Sequence, residues 1–342
     1  MTKKISNTNL YRQIAELLHT ARHQVVRTVN QTMVLTYYEI GKRIVEEEQL
    51  GKERAEYGKQ LIKGLSEVLT KEFGKGFSTT NLKQMKSFYL SYQKGQTVSD
   101  ESSKGQTPSV IFPLSWSHYI KLMRIDDEDE RNFYEIEAQK NNWSVRELNR
   151  QYNSALFTRL VLSKDKGKVK ELSEKGLVIN RPQDAIKDPY ILEFLGLPEK
   201  SNYSESDLEQ ELIDKLGNFL LELGTGFTFV ARQKRISFDG QHFRIDLVFY
   251  HRVLRCFVLL DLKIGKLKHQ DIGQMQMYVN YYDREIRMQE ENPTIGIILC
   301  QNKSEAVVKY TLPENNEQIF ASKYKTALPS KEELKQWIES QR

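Results

Sequence analysis

One stretch of the chain sets a carboxylate in the middle of an apolar strand: Phe243-Arg244-Ile245-Asp246-Leu247-Val248-Phe249-Tyr250-His251. The next apolar run closes on Leu259-Leu260-Asp261-Leu262-Lys263. A tight reversal centred on Val253 and Leu254 puts Asp246 directly opposite Asp261, where facing side chains have Cβ atoms roughly 4.5–5.5 Å apart. Lys263, two residues on, shares the face of Asp261. Two carboxylates and an ammonium therefore converge. In a low-dielectric sheet the carboxylates repel, so the arrangement needs compensating charge: Lys263 supplies one unit and a hard divalent ion the rest. All-oxygen ligation selects Mg²⁺ or Mn²⁺, and a metal so placed can activate water and stabilise charge developing on a phosphodiester. The plainer alternative is a buried Asp246–Lys263 ion pair with Asp261 facing solvent at a strand end.

The elements that must position these groups can be read from pattern. Residues 207–223 form an amphipathic helix carrying Glu209 and Glu211 and ending at Gly224. Strands 227–238 and 243–251 are joined by Asp239-Gly240, a strong hairpin signal. Residues 255–264 are apolar on both faces, as a central strand requires. A helix over 269–286 follows, with Gln274 and Tyr278 one turn apart, and then a short buried strand over 294–300. The order is α-β-β-β-α-β. Lys266 and Lys268 lie just beyond the strand that bears Asp261.

The first 160 or so residues read as helical throughout. Apolar residues recur at three- and four-residue spacing over 10–55, and a second helix over 57–69 leads to Gly74 and Gly76. Ser78 or Thr79 can cap the next helix, so that Thr80, Lys83, Gln84 and Lys86 would face DNA in a helix-turn-helix, or simply water on a bundle surface. Residues 93–108 lose periodicity and read as a surface insertion, and 163–205 is broken by basic and proline-rich stretches. The expected organisation is a helical domain over 1–162, with a winged-helix-like form as one option, a linker over 163–205 and an α/β domain over 206–342.

Composition narrows the function classes without choosing one. The 342 residues carry 39% hydrophobic and 28% charged side chains with 18 Gly and 8 Pro, which excludes collagen-like and disordered classes. No apolar run approaches the roughly 18 residues of a membrane span, and the chain starts without a signal-peptide core, so a cytoplasmic protein is expected. Cys256 and Cys300 both sit in apolar strand-like runs, as reduced buried thiols do. His19 and His23 are one helical turn apart but lack further metal ligands, and no phosphate-cradling glycine motif is present. The formal net charge of +5 permits a polyanionic partner without demanding one.

The helix with Glu209, the strand with Asp246, the Asp261-Leu262-Lys263 run and Gln274-x-x-x-Tyr278 resemble the PD-(D/E)xK nuclease superfamily. More closely, Leu220-Leu221-Glu222-Leu223-Gly224, the Ile245 to His251 run and Ile264-Gly265-Lys266 are similar to YhcG-type proteins. So are Gly76-Phe77-Ser78, Trp116-Ser117-His118-Tyr119 and Trp143-Ser144-Val145-Arg146-Glu147-Leu148 in the helical half. The resemblance implies a restriction-endonuclease-like core with Asp246, Asp261 and the Leu262 backbone carbonyl as metal ligands. Glu209 would complete the metal or water shell, with Glu211 as the competing choice. Lys263 would position the attacking water, and Gln274 and Tyr278 would support the site or touch substrate. Asp261 stands where YhcG-type proteins more often have Glu. The implied activity is Mg- or Mn-dependent hydrolysis of nucleic acid, with DNA favoured and Lys266 and Lys268 on its backbone. The helical domain would target it, in a bacterial or archaeal defence setting, with homo-oligomers or a restriction-modification partner as companions. The competing class is a non-catalytic or partner-activated adaptor that uses a nuclease scaffold.

Overall fold

The computed structural model describes residues 8–50, 55–96, 112–162, 169–197, 203–238, 240–330, 333 and 336. The chain divides into two compact units, residues 1–149 and 150–342. Most of the insertion expected over 93–108 lies outside the described residues, as does the chain start.

In the first unit, α1 (Thr8–Leu50), α2 (Ala55–Phe73), α3 (Thr79–Gln96), α4 (Trp116–Leu122) and α5 (Glu128–Lys140) follow one another, and α6 (Val145–Asn153) runs across the division. Gly74 and Gly76 take the positive φ values of 82° and 136° that a turn between α2 and α3 demands. The Asn81 amide then donates to Ser78 Oγ, so Ser78 caps α3. α3 packs along α1, and Gly41 permits the approach: a Cβ there would fall 2.1 Å from the Met85 carbonyl oxygen. Ile44, Ile62, Leu82 and Met85 form the core of this packing, and Tyr38, Phe88, Phe112 and Tyr119 meet ring to ring beside it. No strand, and so no wing, occurs among the described residues of this unit.

The second unit continues with α7 (Leu156–Leu162), α8 (Val169–Lys175), β1 (Tyr190–Ile191), α9 (Glu205–Asp214), α10 (Leu216–Leu223), β2 (Phe227–Phe238), β3 (Gln241–His251) and β4 (Cys256–Lys266). Then come α11 (His269–Tyr281), β5 (Ile295–Asn302), α12 (Glu305–Thr311) and β6 (Ile319–Lys325). The six strands lie in the order β1-β6-β5-β4-β3-β2. The first three pairings from β1 to β4 are parallel and the last two antiparallel. Phe238 pairs with Gln241, leaving a two-residue loop with Gly240 at φ 73°, as the hairpin signal requires; Asp239 itself is outside the described residues. One face of the sheet packs Leu247, Phe249, Leu260 and Leu262 against α9 and α10 through Leu208, Leu212 and Phe219. The other packs Val248, Leu259 and Ile298 against Ile272, Met275 and Tyr278 of α11. Burial of each such side chain contributes roughly 1.5–3 kcal/mol, which is why β4, covered on both faces, is a fixed platform for Asp261.

Two expectations about organisation need correction. The helix expected over 207–223 is two helices, broken at Lys215 just before Gly217, so that each half turns its own apolar stripe to the sheet. The expected linker over 163–205 is part of the sheet-containing unit: β1 pairs with β6, and Tyr190, Ile191 and Leu192 are fully buried. A two-residue strand is too short to show a period, and the prolines around it read as loop. Within this unit Arg150 and Arg159 make ion pairs with Glu193 and Glu222.

Candidate active site

The β3–β4 ladder runs from His251↔Cys256 to Leu247↔Leu260, the register that brings Asp246 level with Asp261. There the regular ladder ends. Asp246 Oδ2 accepts the Leu262 amide proton at 2.8 Å, tying one carboxylate to the strand that bears the other. Lys263 Nζ stands 2.8 Å from Asp261 Oδ2 and 3.9 Å from Glu205 Oε2 of α9. The ammonium thus pairs with Asp261, and the alternative of a solvent-facing Asp261 does not hold: that residue is only 3% exposed.

The electrostatics follow from this crowding. Burial, followed by repulsion from Asp246, raises the Asp261 pKa well above the ordinary carboxylate range, and Lys263 only partly opposes the rise. Burial alone would lower the Lys263 pKa, but the attraction of Asp261 outweighs it and the net shift is upward. Asp261 Oδ2 has the Lys263 ammonium at 2.8 Å as its partner, whereas the buried Glu209 Oε1 has no hydrogen-bond donor. Orphaned buried carboxylate oxygens are what a hard cation would satisfy. Among the described residues, however, no three His, Cys, Asp or Glu side chains gather into a ready metal cage. A hard cation held here would take one or two of these carboxylates and keep waters as its other ligands.

Glu209 sits on the inward face of α9, which a Ser204–Asp207 capping box starts. Among the described residues it is not gathered with Asp246 and Asp261 into one three-carboxylate cluster. It reaches them through Gln233, whose Nε2 donates to Glu209 Oε2 at 2.5 Å and to Asp246 Oδ1 at 3.1 Å. Burial raises the Glu209 pKa, the Gln233 hydrogen bond lowers it, and Asp246 raises it again, for a net upward shift. Glu211 points elsewhere, to Lys215 at 2.8 Å. Gln233 escaped the sequence reading because a lone Gln in an alternating strand carries no signal; its φ of 46°, rare for a strand residue, is visible only in three dimensions.

Gln274 Nε2 donates to Tyr278 Oη at 2.6 Å, and Tyr278 Oη donates to the Arg244 carbonyl at 2.9 Å. Tyr278 is wholly buried, and its pKa is pushed up to about 12 by burial and then by Asp261, so it borders the carboxylates while packing in the α11 core. Lys266 and Lys268 are exposed, one ending β4 and the other capping α11. In the first unit Thr80 and Lys83 are exposed and Gln84 is half-buried on α3. Lys86 is not a free cation: it is half-buried and paired with Glu48 of α1, because packing α3 on α1 brings those side chains together.

Comparison with known proteins matches residues 183–339 to the YhcG PDDEXK nuclease domain and residues 13–159 to the DUF1016 N-terminal domain. The chain is 43% identical over 341 residues to the "Putative nuclease YhcG" of Escherichia coli (strain K12), covering 94% of this chain and 90% of that one. The chain belongs to the YhcG nuclease family. Among solved structures it is similar to a repair endonuclease from Pyrococcus abyssi, at 20% identity over 38% of this chain and 50% of that one with a TM-score of 0.27. It also matches an EndoMS–double-stranded DNA complex at 18% identity, over 38% of this chain and 49% of that one, with a TM-score of 0.28. Glu209, Asp246, Asp261, Lys263, Gln274 and Tyr278 all fall within the matched nuclease domain, whose start at 183 takes in β1. No described helix is long and apolar enough to cross a membrane.

Proposed function

We propose that this YhcG-family nuclease hydrolyses phosphodiester bonds of DNA with a divalent metal, Mg²⁺ or Mn²⁺. The observation that carries the reading is the Asp246–Asp261 carboxylate pair, Asp261 buried and held 2.8 Å from the Lys263 ammonium and Asp246 tied to the Leu262 amide. Asp246, Asp261 and the Leu262 carbonyl would hold the ion, which supplies Lewis-acid polarisation of the phosphate and a more acidic water. Lys263, fixed by Asp261, holds the attacking water or a non-bridging phosphate oxygen with its ammonium donors. Gln233 ties Glu209 to Asp246, so Glu209 orients the ligand carboxylate and any water between them. Tyr278 and Gln274 brace β3 at Arg244, two residues before Asp246. Thr80, Lys83 and Gln84 on α3 offer the helical unit a polar face for targeting along the duplex, and Lys266 and Lys268 add cationic contacts to the phosphates.

The test is cleavage of supercoiled, linear and single-stranded DNA and of RNA, with Mg²⁺ or Mn²⁺, by wild type, Asp246→Ala, Asp261→Asn and Lys263→Ala. Cleavage of DNA that falls by about 10²–10⁴-fold in each variant is expected. Equal cutting by wild type and Lys263→Ala removes the assigned mechanism. DNA binding without cleavage in wild type points to the adaptor or partner-activated reading instead.

A further inference from the structure

The two halves of α1 live in different surroundings. Every described side chain from Tyr11 to Val29 is exposed, whereas Val34, Tyr38 and Val45 of the second half are buried. A helix with water all round is held weakly, because most helical stability comes from packing. Local support is slight here. Thr20, Val25, Val26, Thr28 and Val29 are β-branched and lose rotamer freedom in a helix. No acid sits in the first turn, and the Arg12–Glu16 pair, at 4.0 Å with side chains 74% and 70% exposed, adds little.

This first half carries an apolar stripe instead. Tyr11, Ile14, Leu18, Ala21, Val25 and Thr28 recur at alternating three- and four-residue spacing, the a and d positions of a coiled-coil seam, and Leu17 and Val29 widen it. The six large side chains among these are 46–69% exposed. Together they leave on the order of 600 Å² of mostly apolar surface in one patch, the top of the range for a monomer. Thr28, Thr32 and Thr36 continue the stripe, and their hydroxyls donate to the carbonyls four residues back at 3.0, 2.9 and 2.8 Å. Hydroxyls so bonded need no water. The stripe also faces away from α3: Val34 and Tyr38 follow Val25 and Val29 by nine residues, about two and a half turns, which sets them on the opposite side of the helix. α3 therefore cannot cover the stripe by running further along α1.

We infer that residues 11–29 of α1 are the seam of a homodimer, in which the same stripe of a second copy packs on this one as a two-helix coiled coil. A heptad seam is complementary to a copy of itself, as a two-fold interface requires. The area fits: about 600 Å² from each copy gives roughly 1,200 Å², where stable interfaces begin. The charges agree. Between Tyr11 and Thr36 the stripe has one charged neighbour, Arg22 at its edge, whose stem can cover apolar surface of the copy while its guanidinium stays in water. Beyond Thr36 the same face turns to the exposed Glu39 and Arg43, and the seam ends. The dimer stands apart from the nuclease reading, since it joins two chains whatever chemistry the second unit performs.

The experiment is sedimentation velocity of the full-length protein over a dilution series, with hydrogen–deuterium exchange of residues 11–29 on the same samples. The variants are L18E/V25E in the seam and R43E beyond its end, which changes the net charge by the same amount. Wild type sediments at about 80 kDa, twice the 40.1 kDa chain, at about 20 μM. L18E/V25E sediments as a monomer there, its Kd raised at least about 100-fold because each copy would bury two unpaired charges. R43E stays dimeric. Amides of residues 11–29 are protected in the wild-type dimer and lose that protection on dilution to the monomer, a readout that needs no variant to fold. A wild type that is monomeric at about 20 μM overturns the seam. So does an L18E/V25E protein that remains dimeric, or an R43E protein that dissociates equally, since charge alone then governs association. Fast exchange of 11–29 within a dimer places the contact elsewhere, and protection that persists in the monomer means that the chain covers its own stripe; either result overturns the proposal.

Discussion

Two buried carboxylates in the second unit have opposite fates. Glu222 of α10 is fully buried and receives Arg159 Nη1 at 2.7 Å, Arg150 Nη2 at 3.3 Å and the Ile191 amide at 2.9 Å, while Lys187 bonds its main-chain carbonyl. Burial would raise its pKa, yet the surrounding cations, Arg159 foremost, outweigh that and hold it down to about 2. Asp261 has one cation and a second carboxylate beside it, and its pKa goes up. The first site is saturated with partners and fastens β1 and α7 to α10. The second is short of positive charge, which the proposed metal would supply. Both look alike in sequence, as an acid within an apolar run, and only the surrounding charge separates structure from chemistry.

The comparison can be broken most directly at Glu222. Glu222→Gln leaves Arg159 buried without its counter-charge, and urea unfolding should show a loss of about 3–5 kcal/mol; an unchanged midpoint would mean the network does not fasten the fold. The pH dependence has a definite sign. Because the folded pKa of Glu222 lies below its ordinary 4.5, its contribution is complete above that value and is lost as pH falls toward about 2. The wild-type melting temperature should drop across that window, and the drop should be smaller in Glu222→Gln.

Asp261→Asn sharpens the contrast from the other side. Its raised pKa makes the folded metal-free protein lose stability as pH rises from the ordinary carboxylate range through the raised value. The Asn variant, scanned in EDTA at pH 8, should therefore melt at or above wild type, by on the order of 1 kcal/mol, while being inactive. A melting temperature lowered as in Glu222→Gln would place Asp261 among the structural carboxylates. The smallest effect belongs to the first unit: Lys86→Ala, which breaks the partly exposed pair with Glu48, should cost no more than about 1 kcal/mol. Should it instead reduce DNA affinity with a change in salt slope, α3 contacts the backbone despite that pairing.

Much of this was legible in the residues. Turn chemistry at residues 239–240 and the apolar runs fixed the β2–β3–β4 order, and the register of a tight reversal put Asp246 beside Asp261 without any coordinates. Gln274 and Tyr278 met because helix spacing requires it. Glu222 lay within a motif that supported the family resemblance, but nothing in that motif told a fastening carboxylate from a catalytic one. Gln233 and β1 were missed for a common reason: each acts through a neighbour distant in sequence or across a strand, and a single side chain or a two-residue strand leaves no period.

By itself, then, the sequence determined the β2–β3–β4–α11–β5 order, the family and the juxtaposition of Asp246 and Asp261, because these depend on local propensity, hydrophobic period and short-range register. Only the tertiary structure decided which carboxylates are neutralised and which are left wanting charge, that Glu209 reaches Asp246 through Gln233, and that Lys86 is already paired. Those outcomes depend on burial and on the sum of charges from several elements, and both come into being only when the elements pack.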